Sequence, residues 1–328
     1  MLMKFYSIIA FLFLLIGCSK EQNIPIDFYY WRSNYSLNDI EKQAVKDYDV
    51  HNLYVRLFDV DRKDIHPQPI GVIKNFDASM LEVNYIPTVF ITNRTFQSMN
   101  VSEVKILAKN VNQLIAEIAK AGKLDKYSEI QIDCDWTKST RENYFQFLKE
   151  LKQISNKQIS ATLRLHQVKF KDREGVPPLD KMVLMCYATE NPSEVKDKNS
   201  ILDVDLAKDY LKNLEDYPIK MDVALPIYSW AILKNHLGKI KLINSFSEEN
   251  LKDKPVKPLG NGVFEVEDDF FIEQFYVSKG FKIKIENVPS ETLTTMKQFI
   301  NRKLHDDYRL IYYHLDQKFI TNYNLNRL

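Results

Sequence analysis

Two carboxylates stand two residues apart, Asp133 and Asp135, in the run Glu129-Ile-Gln-Ile-Asp-Cys-Asp-Trp-Thr137. Side chains alternate across a strand, so Gln131, Asp133 and Asp135 share one face, and Ile130, Ile132, Cys134 and Trp136 share the other. Carboxylates this close, in a partly dry place, have their pKa values pushed apart, which is the condition for acid/base work. A second run, Gln158 to His166, places Ser160, Thr162, Arg164 and His166 on one face. Arg164 and His166 could serve a reaction beside Asp133 and Asp135, or simply neutralise them in a buried network. No Cys/His cluster has ligand spacing, so neither a metal site nor another cofactor is expected.

Positioning these side chains together requires a ring of strands, and eight candidate segments are present. They are 26–31, 52–61, 86–93, 129–137, 158–166, 182–188, 221–230 and 309–316. Between several of them run helical patterns. The clearest has apolar residues at Val104, Leu107, Ala108, Val111, Leu114, Ile115 and Ile118 and stops at Gly122. Pro67 and Pro69 weaken any helix after the second strand. The sequence therefore predicts an α/β fold, a (β/α)8 TIM barrel, with a small α+β insertion at about 236–300 between strands seven and eight. An open doubly wound sheet is the alternative.

The chain has 328 residues, 45% hydrophobic and 12% aromatic, enough for one large core. With 45 basic and 44 acidic residues the net charge is +1, which gives no field to hold nucleic acid. At the amino terminus Lys4 precedes the apolar run Phe5 to Ile16, too short to span a bilayer comfortably. Its end, Leu15-Ile-Gly-Cys18, resembles the lipobox of bacterial lipoproteins. That resemblance implies a signal peptide over 1–17, acylation of Cys18 and a tether over 18–25, which leaves 26–328 for the single barrel domain that the eight segments predict. It also implies a cell-envelope location on a membrane, with the outer membrane expected and the lipid as the membrane contact. The remaining Cys134 and Cys186 are expected as buried thiols behind the sheet.

The carboxyl ends of the eight segments hold Trp31, Arg56, Asp59, Asp61, Asn93, Asp133, Asp135, Trp136, Arg164, His166, Tyr187, Tyr228, Trp230, His314 and Asp316. Flat rings stack on the apolar faces of sugars while charged groups fix hydroxyls, so this mixture points to a glycan or oligosaccharide. Asp133 and Asp135 are the candidate catalytic pair. Trp31, Arg56, Trp136, Arg164, His166, Tyr187, Tyr228, Trp230 and His314 are the candidate substrate contacts. Trp31 and Trp230 fit rim packing equally well, and Asp59, Asp61 and Asp316 fit solvated loops.

Asp133-Cys-Asp-Trp-Thr137 resembles the strand-four motif Asp-x-Asp-x-Glu of family-18 glycoside hydrolases, the chitinase and endo-N-acetylglucosaminidase group. Met185-Cys-Tyr-Ala188 is similar to its strand-six Met-x-Tyr-Asp, and Ala224-Leu-Pro-Ile-Tyr228 to its strand-seven segment. The insertion falls where many members carry one. The chain also resembles lipoproteins of Bacteroidetes-type bacteria that carry a glycosidase-like barrel. The resemblance implies that Asp135 holds an acetamido group touched by Tyr187 and Tyr228. Three features depart from the pattern: Thr137 replaces the acid Glu, Ala188 replaces the strand-six Asp, and the pair Ile130-Gln131 replaces Asp-Gly. A threonine hydroxyl cannot protonate a leaving group near neutral pH. Three readings follow: a hydrolase whose proton comes from Asp316, Glu190 or His166, an inactive glycan-binding barrel, or a scaffold lipoprotein. A free carboxyl pair facing one cleft favours the first, and carboxylates tied to Arg164 favour the second.

Overall fold

The computed structural model describes residues 24–63, 66–194, 198–305 and 308–327. The expected signal segment 1–17, Cys18 and most of the tether lie outside the described residues. Strand β1 (Ile26–Tyr30) leads to helix α1 (Asp39–Asp47), and β2 (Asn52–Asp61) to the short β3 (Gln68–Ile70). Asn38 opens α1 with a reciprocal cap: its side chain accepts from Glu41 N at 2.9 Å while Glu41 accepts from Asn38 N at 3.2 Å. Then come β4 (Asn84–Ile91), α2 (Val101–Ala121), β5 (Glu129–Asp133), α3 (Arg141–Ser155) and β6 (Gln158–Arg164). The short helices α4 (Leu165–Lys169) and α5 (Lys171–Glu174) precede β7 (Lys181–Met185), α6 (Val204–Tyr210) and β8 (Lys220–Pro226).

Seven further strands follow: β9 (Trp230–Lys234), β10 (Ile240–Asn244), β11 (Val256–Gly260), β12 (Val263–Val266), β13 (Phe270–Ile272), β14 (Phe275–Val277) and β15 (Lys282–Glu286). Helix α7 (Ser290–Leu304), strand β16 (Leu310–Tyr313) and helix α8 (Gln317–Ile320) complete the chain.

Strands β1, β2, β4, β5, β6, β7, β8 and β16 pair in parallel in that order, and β1 pairs with both β2 and β16. The result is a closed eight-stranded barrel wrapped by helices. Alternation sorts its side chains. Tyr29, Tyr54, Ile86, Val183, Met185, Ala224 and Ile311 pack inside, while Phe28, Leu53, Val55, Ile132, Leu184 and Tyr312 pack outward in the main core shared with the helices. Cys134 and Cys186 belong to that outer layer as buried free thiols.

The insertion is a five-stranded antiparallel sheet in the order β10-β9-β15-β12-β11, with a β13–β14 hairpin. It runs from Trp230 to Glu286, which face each other in register. Both limits precede the expected 236–300, because Trp230 leaves the barrel strand after Pro226 and Ser290–Leu304 is a barrel helix. That helix buries Leu293, Met296 and Ile300 in the main core.

The amino end of the lumen is closed by charge. Lys181 Nζ lies 3.0 Å from Glu129 Oε2 and 3.1 Å from Asp222 Oδ2, and Ser160 donates to Glu129 at 2.5 Å. Arg309 forks onto buried Asp27, which also accepts from Asn52 N at 2.7 Å. Removing one member of such a set leaves a buried charge uncompensated. Lys181→Ala should therefore lower unfolding stability by about 3–5 kcal/mol in urea titrations. A change below about 1 kcal/mol would mean that Lys181 is not what offsets these carboxylates.

Candidate functional site

The carboxyl ends of the strands open into a cleft of about 350 Å³. Strand β5 delivers Asp133 to its floor, where the side chain is 6% exposed and Thr162 Oγ1, from β6, donates to Oδ1 at 2.7 Å. Burial, and then the charge of Asp135, push the Asp133 carboxyl up to about 7, although Thr162 and Arg164 oppose this. Asp135, two residues on, is half-exposed and lies with Oδ1 3.0 Å from Arg164 Nε.

Around this floor stands an arc of rings. Trp31 is 5.6 Å from Tyr313, Tyr313 is 5.5 Å from Tyr187, and Tyr228 is 5.7 Å from Tyr313 and 5.3 Å from Trp230. Burial raises the hydroxyl pKa of Tyr187, Tyr228 and Tyr313, so all three remain neutral donors. The Tyr187 hydroxyl is buried and has no hydrogen-bond partner among the described residues. His314 also lines the cleft, and burial pulls it down to about 4, so it is neutral. The insertion supplies Trp230 and Asn244, with Ser229 and Ser245 beside its first hairpin. Trp230 Nε1 donates to Glu286 Oε2 at 2.9 Å, and Glu286 also accepts from Ser200 N at 3.1 Å.

A scan against family models and a search of curated proteins give no match. Among solved structures, a chitinase from Chromobacterium violaceum superposes with a TM-score of 0.57 at 12% identity, covering 90% of this chain and 96% of that one. The Bacillus cereus spore cortex-lytic enzyme SleL superposes with 0.58 at 16% identity, over 93% and 73%. A class V chitinase from Nicotiana tobaccum gives 0.51 at 13% identity, over 93% and 97%. The chain has the fold of these barrels.

Of the residues expected at the site, Trp31, Asp133, Asp135, Arg164, Tyr187, Tyr228, Trp230 and His314 line the cleft together. Three do not. Trp136 is fully buried on the outer face of the sheet, stacked 5.2 Å from Tyr144, and its Nε1 donates to Glu174 O at 3.0 Å. It lies on the outer side that the sequence alternation predicts, although β5 itself ends at Asp133. His166 leaves the lumen because β6 ends at Arg164 and the chain turns into α4 at Leu165, so period-two alternation no longer applies. Arg56 is held by Asp59, which accepts from Nε at 2.6 Å and from Nη2 at 2.5 Å, and it does not line the cleft.

The proposed substitute acids are also elsewhere. Asp316 caps α8 by accepting from Lys318 N at 2.9 Å and lies 3.8 Å from Arg32. Neither it, Glu190 nor Thr137 lines the cleft, and Thr137 Oγ1 instead meets Ser139 Oγ at 3.0 Å. Among the described residues, Asp133 and Asp135 are the carboxylates that line it. Tyr313 was missed, although Ile311 and Tyr313 share the inward face by alternation. Asn244 and Ser245 carry no local signal, because only the fold of the insertion brings them over the barrel mouth.

The raised Asp133 value has a signed consequence. The unfolded group titrates near 4 and the folded one near 7. Its stabilising contribution is thus complete below about pH 4 and is lost as pH climbs through about 7. Melting temperatures of wild type and Asp133→Asn across that range should converge or cross as pH rises, with wild type losing ground. A constant difference would show an ordinary carboxyl at this position.

Proposed function

We propose that the chain is a cell-envelope lipoprotein whose barrel binds a glycan without hydrolysing it by the family-18 route. The observation that carries this reading is the cleft itself: an arc of neutral rings over a floor whose exposed carboxylate is paired with Arg164, with Thr137 outside it. Rings of this kind give apolar contact to sugar faces at little entropic cost, and buried hydroxyls such as that of Tyr187 gain partners when a ligand arrives. Solved structures of the same fold include chitinases, and a plant class V chitinase has been captured with NAG4. Those likenesses support a glycan as the ligand class. In the same reading, residues 1–17 are a signal peptide, Cys18 carries lipid, 18–25 is a tether, and the barrel domain over 26–328 faces glycan from the outer membrane.

A second reading rests on one observation, that Asp133 keeps its proton up to about pH 7 and lies in the cleft. A protonated carboxyl there could act as the acid of a relocated mechanism, with Asp135 as its partner.

Titration of the mature chain against a glycan panel, with product analysis of the same samples, separates the two. Binding without product is expected, and Trp31→Ala or Trp230→Ala should weaken it about tenfold. Trp136→Ala should instead cost about 3–5 kcal/mol of folding stability. Product that disappears in Asp133→Asn would replace the binding reading with the hydrolytic one. Labelling with palmitate should be lost in Cys18→Ala, and label retained there would remove the anchor.

A further inference from the structure

Arg164 differs from three arginines that fork onto aspartates of the barrel. Arg56, Arg94 and Arg309 each turn Nε and Nη2 onto both oxygens of one aspartate: Asp59, Asp61 and Asp27 respectively. Arg164 stands at the carboxyl end of β6 with its side chain 26% exposed, and its Nε lies 3.0 Å from Asp135 Oδ1. The hydrogen bond that its guanidinium donates among the described residues is a weak one, from Nη1 to Met185 Sδ at 4.0 Å. Both Arg164 and Met185 line the cleft. A planar, permanently charged fork is thus held in a largely dry place, and among the described residues its terminal nitrogens donate no hydrogen bond to an oxygen.

Resting on the glycan reading above, we infer that the ligand of this cleft is an acidic glycan, whose carboxylate pairs with the terminal nitrogens of Arg164. Guanidinium and carboxylate match in shape and make two parallel charge-assisted hydrogen bonds. The surroundings permit a negative group. Asp135 and Arg164 offset each other, Asp133 carries its proton below about pH 7, and His314 is neutral. The rings of Tyr187, Tyr228 and Trp230 would cover the sugar that bears the acid, and their low-polarity surface strengthens the ion pair by excluding water.

The test is calorimetric titration of the full mature chain at pH 6 to 6.5. The probes are oligosaccharides containing glucuronate or galacturonate, the same oligosaccharides with carboxylates reduced to hydroxymethyl groups, and a sulfated neutral oligosaccharide. The acids should bind about tenfold or more tightly than their reduced counterparts. That ratio should fall towards one in Arg164→Gln and recover in part in Arg164→Lys, which restores the charge without the fork. The wild-type matched pair decides the matter even if a variant fails to fold. Reduced forms binding as tightly as acids, sulfate outcompeting carboxylate, or an acid preference surviving in Arg164→Gln would each overturn the inference. Tight binding of reduced forms, or no binding by any probe, would overturn the inference and leave the glycan reading to the panel above.

Discussion

Strand β1 hydrogen-bonds to β2 through Phe28, Tyr29 and Tyr30, and to β16 through Ile26, Asp27 and Phe28. These two ladders turn a twisted sheet into a ring, and the interior follows from that closure. A closed sheet has two surfaces, and every second residue of eight strands must fill a narrow lumen. The filling is layered. Lys181, Glu129, Asp222 and the Asp27–Arg309 pair occupy the amino end, Tyr29, Tyr54, Val183 and Ile311 the middle, and the aromatic cleft the carboxyl end. Depth in this lumen sets how much water a side chain keeps.

That depth separates the behaviour of two aspartates. Asp133 is the last residue of β5 and remains within the ring, so losing its hydration raises its pKa. Asp135 lies beyond the strand, half in solvent, where Arg164 from the neighbouring strand meets it. The difference between them is two residues of chain and the rim of the barrel. At the amino end, charges are equally dry but matched, each carboxylate facing a cation or a donor. At the end that opens outward, the Tyr187 hydroxyl is buried without a partner among the described residues, where a ligand could supply one.

The insertion completes the cleft through packing of its own. Ala231, Leu233, Ile243, Phe246, Val266 and Ile283 form a core distinct from that of the barrel, so the sheet holds its shape as a body. Its link to the barrel runs through Glu286, which binds the Trp230 indole and Ser200 together. The Trp230–Glu286 register of β9 and β15 thereby sets where the last ring of the arc stands.

Local periodicity carries much of this protein on its face. The α2 stripe, the eight strand segments, the outward Cys134 and Trp136, and the inward Asp133 all follow from side-chain alternation or helical spacing, which depend on near neighbours alone. What alternation could not supply is where a strand stops. His166 shared the parity of Arg164, yet α4 begins between them, and Trp230 shared a segment with Met221, yet it belongs to another sheet. The pairing of Arg164 with the Asp133 and Asp135 carboxylates was one of two expectations, and only the ring decided that it is Asp135 that Arg164 meets; that Asn244 arrives over the mouth depends on contacts between residues distant in the chain. The amino-acid order by itself determined which residue types face inward, because a strand's geometry is local. Tertiary structure alone decided which of them meet, because closing the ring brings Ile26 to Leu310 and takes water away from what lies between.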